Sequence, residues 1–135
     1  MLRLCVFCAY LFLVARASAT KTDACTLDVI SDLHTTSRCG DVVIILNASY
    51  PHVLNNASFI PHMIRDDVLS IRSANMFHKT TVYVDGVIFL PLREFRLESV
   101  VFVGQQPGAT FLFAATTRFI PRHCSFFDVD VKHLR

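Results

Sequence analysis

Phe95-Arg-Leu-Glu-Ser-Val-Val-Phe-Val-Gly104 can be laid over Phe119-Ile-Pro-Arg-His-Cys-Ser-Phe-Phe-Asp128 at an offset of 24 residues. Phe95 then matches Phe119, Leu97 matches Pro121, Val100 matches Cys124 and Phe102 matches Phe126. Both copies carry apolar residues at i, i+2, i+5 and i+7. A flat strand cannot turn all four to one face, because strand side chains alternate with a period of two. A chain that turns a corner between them can. The polar pairs Glu98-Ser99 and Arg122-His123 are the expected corners.

Outward from this repeat, apolar runs begin at Val42, Val68, Phe95 and Phe119, spaced 26, 27 and 24 residues apart. Periods of about 20 to 50 residues point to a solenoid. Each period would be one coil of strands stacked about 4.8 Å from the next. Each coil would bury its inward residues only against its neighbours. The remaining runs are also short and rich in β-branched and aromatic residues: Thr81–Val84, Val87–Leu90, Ala109–Ala114 and the extension of the last run to Val131. Gly40-Asp41, Asp66-Asp67, Asp85-Gly86, Gly104, Pro107-Gly108 and Pro121 punctuate them, and no long helical periodicity follows residue 40. The fold class is therefore all-β, a short right-handed parallel β-helix of about four coils. The alternative is an antiparallel β-sandwich. Its support is Thr81-Val-Tyr-Val-Asp-Gly-Val-Ile-Phe-Leu90, where Asp-Gly between two apolar strands is a hairpin signal. An immunoglobulin domain fits poorly, because the chain has no Trp and Cys25 and Cys39 are close in sequence.

Cys39-Gly-Asp-Val-Val-Ile-Ile-Leu-Asn-Ala-Ser-Tyr50 resembles the opening of pectin-lyase-like β-helices, with a Gly-Asp turn before the first strand and a Tyr after it. Val68-Leu-Ser-Ile-Arg-Ser73 and the Phe95–Gly104 stretch resemble the coil motif of that family, so the resemblance covers residues 39 to 128. A signal peptide followed by this arrangement also resembles, more faintly, the start of the dispersed gene family surface proteins of kinetoplastid parasites. The β-helix resemblance implies a lyase-type site of acidic Ca²⁺ ligands and a basic residue that removes a proton beside a uronate carboxylate. Asp66, Asp67, Asp85, Asp128 and Asp130 could be such ligands, and Arg72, Arg93, Arg96 or Arg122 such a base. None sits in a motif of the family, so no catalytic residue is assigned.

The chain has 135 residues, 53% of them hydrophobic and 18% charged, which excludes a disordered protein. Residues 1–19 read as a secretory signal peptide: a basic Arg3, an apolar run from Leu4 to Val14, and the small-x-small site Ala17-Ser18-Ala19. Residues 20–135 then form a single β domain with no further membrane span, either self-contained or a piece of a longer β-helix. Removing Arg3 and Arg16 from the 13 basic residues balances the 11 acidic ones. A neutral chain has no electrostatic reason to bind nucleic acid. Asn47-Ala-Ser49 and Asn56-Ala-Ser58 are N-glycosylation acceptors, as a secreted or cell-surface protein would carry.

Three cysteines lie beyond the signal segment: Cys25, Cys39 and Cys124. Cys25 and Cys39 are expected to pair. A straight helix between them would hold them about 21 Å apart at ~1.5 Å per residue. A disulfide needs Cα atoms within roughly 7 Å. The bridge therefore excludes an amphipathic helix over Thr26–Arg38. Cys124 is expected to be a buried thiol.

The chemistry is sparse. Glu98 and Arg122 are expected to stack as a solvent-side ion pair. His123, Asp128, Asp130 and His133 could be drawn as a metal site, but no spacing resembles a structural zinc site. His34, His52, His62 and His78 read as surface residues. Phe89, Phe95, Phe102, Phe111, Phe119 and Phe126 read as a stacked core. No cofactor is expected. The expected role is non-enzymatic adhesion or recognition of an extracellular glycan or cell-surface protein. The alternatives are a polysaccharide-active lyase-like enzyme and a receptor-binding antagonist on a sandwich. Only Lys132-His-Leu-Arg135 follows Val131, too little to cap a solenoid. Phe127 or Val131 should lie in an open end through which the chain self-associates.

Overall fold

The computed structural model describes residues 23–30, 39–48, 51–55 and 67–135. The described residues form twelve strands: β1 (Asp23–Leu27), β2 (Cys39–Leu46), β3 (His52–Asn55), β4 (Val68–Ser73), β5 (Thr80–Asp85), β6 (Val87–Leu90), β7 (Glu94–Glu98), β8 (Val100–Gly104), β9 (Thr110–Phe113), β10 (Arg118–Arg122), β11 (Ser125–Phe127) and β12 (Asp130–His133). They build three sheets, in the orders β1-β2-β4-β7-β10, β3-β5-β8-β11 and β6-β9-β12. We call these faces A, B and C. Every pairing is parallel. This is a parallel β-solenoid of about three turns. The coils β4–β6, β7–β9 and β10–β12 each place one strand on each face, and β2 and β3 begin another before them. No helix among the described residues is long and apolar enough to cross a membrane.

The 24-residue offset is the register of the last two coils. Phe119 lies opposite Phe95, Pro121 opposite Leu97 and Phe126 opposite Phe102. The corners fall where the parity of the sequence breaks. Ser99 and His123 adopt positive φ of 56° and 53°, a left-handed turn that resets which face the next residues address. Ser99 splits the aligned stretch Phe95–Gly104 into β7 and β8, and His123 separates β10 from β11. One coil earlier the spacing read from the sequence is off by one residue: Val42 faces Leu69, and Leu69 faces Phe95. β1 and β3 were not among the expected runs.

The antiparallel sandwich is excluded. Asp85-Gly86 joins β5 on face B to β6 on face C, so it is a corner and not a hairpin. Gly86 takes a φ of 78° there, which suits glycine. The two strands do not pair because each finds its partner in the neighbouring coil.

The core is an interior column shared by all coils. Ile44, Leu46, Leu69, Ile71, Val82, Ile88, Phe95, Phe102, Phe111 and Phe113 are fully or almost fully buried. Phe95 and Phe119 stack at 6.1 Å between ring centroids, and Phe102 and Phe126 at 5.4 Å. Phe111 meets Phe95 and Phe102 edge-on. Phe89 departs from the expected aromatic core. It alternates with the buried Ile88 and Leu90 and so faces solvent, while Phe113, not singled out in the sequence, is buried.

A buried hydroxyl network pins the corner between faces A and B. The Ser73 hydroxyl donates to the Ser99 carbonyl at 2.6 Å, one coil further on, and accepts the Thr80 amide at 2.8 Å. Thr117 does the equivalent at the corner between C and A, donating to the Leu92 carbonyl at 2.6 Å. Such groups satisfy main-chain atoms that the turns remove from the strand ladders.

Candidate functional site

The outward surfaces of the three faces differ in chemistry. On face B the register aligns Val53, Tyr83, Val103 and Phe127 in one outward column. On face C it aligns Phe89, Leu112 and Lys132. Face A instead carries charge. Its outward columns are Val43–Ser70–Arg96–Ile120 and Ile45–Arg72–Glu98–Arg122.

These side chains line a groove of about 540 Å³ across the coils, formed by Val43, Ser70, Arg72, Arg96, Glu98 and Arg122 with neighbouring apolar residues. Arg72 and Arg122 stand two coils apart in one column, about 9.6 Å at ~4.8 Å per coil. Glu98 stands between them. Arg96 is set two residues back along β7 and is anchored. Its Nε donates to Glu94 at 2.9 Å. Arg118, on the next coil, donates to the other carboxylate oxygen of Glu94 at 3.1 Å. The Glu94 side chain is only 11% exposed, so Arg96 from its own strand and Arg118, brought by the parallel register, set two guanidinium groups on a largely buried carboxylate. Strand spacing alone gave no signal of this ion-pair triad, because Glu94 lies just before the aligned repeat.

Glu98 and Arg122 occupy the equivalent positions expected of them, but they close no ion pair: the carboxylate that recruits guanidinium groups here is Glu94. The arginines named as bases separate. Arg72, Arg96 and Arg122 converge on the groove, while Arg93 lies outside it. The acidic residues of the implied lyase site are elsewhere. Asp85 ends β5 at the corner between B and C. Asp128 and Asp130 flank the Gly104–Ala109 turn at that corner, against a second depression. Asp67 is buried, and its carbonyl accepts the Arg93 amide at 2.9 Å. Asp66 lies outside the described residues. Among the described residues, the base and the Ca²⁺ ligands of a lyase therefore do not assemble at one site.

Among the described residues no group of three or more His, Cys, Asp or Glu could hold a metal ion. The drawn set of His123, Asp128, Asp130 and His133 does not assemble: His123 lies at the corner before β11, Asp128 and Asp130 line the second depression, and alternation along β12 sets His133 on the opposite face from Asp130. His133 turns inward, with its ring 5.2 Å from that of Phe113 and its Nε2 3.3 Å from the Thr117 carbonyl. His52 is also not a surface residue. It is buried in the inward column of Val82 and Phe102, with Nε2 2.9 Å from the Asn47 carbonyl. His78 is exposed, and His34 and His62 lie outside the described residues.

Cys25 and Cys39 form the expected disulfide, with Cα atoms 5.8 Å apart, tying β1 to β2. Residues 23–27 are strand, so the bridge replaces a helix running the full length from Thr26, and residues 31–38 lie outside the described residues. Cys124 is a free thiol, half-buried against the core. Asn47 lies exposed just after β2, while Asn56 and Tyr50 fall outside the described residues.

No protein-family model, curated protein or solved structure matches the chain.

Proposed function

We propose that the chain is a secreted or cell-surface recognition module that takes an acidic glycan on face A, without turnover. The observation that carries this reading is the convergence of Arg72, Arg96 and Arg122 on one open groove whose floor is a parallel sheet. Guanidinium groups donate in a planar fork that matches carboxylate and sulfate oxygens. Repeated cationic positions at a fixed coil spacing suit a linear ligand that repeats its own charge. The signal-like segment at residues 1–19, the acceptor sites at Asn47 and Asn56 and the Cys25–Cys39 disulfide support an extracellular setting. The resemblance to pectin-lyase-like proteins and the fainter one to kinetoplastid surface proteins agree with the same setting. The separation of Asp67, Asp85, Asp128 and Asp130 from the groove favours binding over the lyase-like alternative.

The test is binding of the secreted protein to immobilised uronate-containing and sulfated oligosaccharides beside neutral ones. Saturable binding to the acidic set, weakened about tenfold or more by Arg72→Ala or Arg122→Ala, supports the reading. Equal binding to neutral sugars, or no effect of either substitution, overturns it. Unsaturated uronide products in the same incubation would replace it with the enzymatic alternative.

A further inference from the structure

We propose that the groove on face A reads charge on alternate sugars: it takes a linear glycan lying across the strands, with an acidic group on every second residue, and Glu98 excludes a charge on the residue between. This rests on the acidic-glycan reading of the groove and narrows it to one charge pattern. Parallel pairing sets Arg72 directly beside Glu98, and Glu98 directly beside Arg122. All three line the groove. One column therefore presents plus, minus, plus, with about 4.8 Å between successive positions. Among the described residues none of these three makes an ion pair, and the guanidinium groups of Arg96 and Arg118 go to Glu94 instead.

The uncommitted cations set the direction of the ligand. Along β7 the outward neighbour of Glu98 is Arg96, set back by about 6.6 Å at ~3.3 Å per residue. Its Nε already donates to Glu94 at 2.9 Å. The two guanidinium groups left to meet a ligand, Arg72 and Arg122, are separated across the coils and not along a strand. The groove runs the same way, with a lining drawn from β2, β4, β7 and β10. An extended pyranose chain advances by roughly one such coil step per ring. Successive rings then meet Arg72, Glu98 and Arg122, and the first and third present carboxylate or sulfate oxygens to the planar guanidinium forks.

The chemistry of Glu98 decides the ring between them. A carboxylate only accepts hydrogen bonds, so the ring over Glu98 must donate to it. Sugar hydroxyls and an acetamido N–H do so. A second carboxylate or a sulfate cannot: it sets like charges and two acceptors against each other. Discrimination of this kind needs a repulsive element beside the attractive ones, and Glu98 is that element. A glycan charged on every ring loses at Glu98 part of what it gains at Arg72 and Arg122.

The test compares two size-matched oligosaccharides on the secreted protein, one alternating glucuronate with N-acetylglucosamine, the other oligogalacturonate, charged on every ring. Non-specific attraction ranks the more highly charged chain first. The opposite order is expected here, by about tenfold or more. Glu98→Gln removes the charge and keeps a carbonyl acceptor. It should raise affinity for oligogalacturonate about tenfold and change that for the alternating chain by less than about threefold. Glu98→Asp, which keeps the charge, should keep the preference, and thermal melts of both variants confirm folding. Equal or stronger binding of oligogalacturonate by the unsubstituted protein overturns the inference; if that binding still needs Arg72 and Arg122, the acidic-glycan reading stands. An equal loss of both ligands in Glu98→Gln also overturns it, because Glu98 would then only support the arginines. Binding of neither chain overturns both readings.

Discussion

The carbonyl oxygen of Asp128 occupies the space that a β-carbon on Gly104 would need. Asp128 is the residue equivalent to Gly104 one coil later, at the same 24-residue offset that relates Phe102 to Phe126. The stacking of one turn on the next leaves no room for a side chain here. Gly104→Ala must push backbone against backbone, and neither atom is the end of a flexible side chain. Overpacking of this kind costs about 1–3 kcal/mol. A denaturant melt should show that loss for Gly104→Ala.

The disulfide closes a segment with a sequence separation of 14. A loop of about 15 residues confers ~3 kcal/mol in the chain-entropy account. Replacing both Cys25 and Cys39 with Ser should lower stability by that order. Because β1, among the described residues, pairs only with β2 at the edge of face A, amide exchange should rise first in residues 23–27 and only weakly in β7 and β8.

Phe95 and Phe119 occupy one inward column, but Phe95 is fully buried and Phe119 is half-covered at the end coil. Phe95→Ala should cost about 3–5 kcal/mol, as large core truncations do. Phe119→Ala should cost clearly less. Equal losses would mean that the end coil is covered in the monomer.

Ser73→Ala removes the hydroxyl that serves both the Ser99 carbonyl and the Thr80 amide at the corner between A and B. Buried main-chain groups left short of partners cost about 1–3 kcal/mol. Ser73→Thr, which keeps the hydroxyl, should recover part of that loss if the added methyl is accommodated. Paired melts of the two variants check it.

The coil architecture was legible from the Phe95 and Phe119 stretches because their parity breaks at a fixed place. No flat strand explains apolar residues at both i+2 and i+5, whereas the corners at Ser99 and His123 do. The Asp85-Gly86 pair misled in the direction of a hairpin, because a left-handed glycine turn serves a hairpin and a solenoid corner equally well. Only the distant pairing of β5 with β8 distinguishes them. β3 was missed because its polar ends, His52 and Asn55, disguise a four-residue strand whose His52 points inward. The groove was legible only in pieces. Arg72, Arg96 and Arg122 are 24 and 26 residues apart and meet only once the one-residue correction at Leu69 fixes the register. The Glu94 triad went unread for a different reason: Glu94 and Arg118 share the 24-residue offset but lie just before the two aligned stretches.

The account rests on Arg72 and Glu98 being direct neighbours across β4 and β7, since that register builds the groove. The direct measurement is disulfide trapping of Arg72→Cys with Glu98→Cys in a Cys124→Ser background, read by peptide mass mapping after air oxidation. Neighbouring parallel strands bring such Cα atoms within roughly 7 Å, where a bridge can close. The account predicts near-complete formation of the 72–98 bridge with the Cys25–Cys39 bridge intact, and little bridging between Arg72→Cys and Arg122→Cys, two coils apart. Failure of the first pair to bridge, or equal bridging by both, would contradict it.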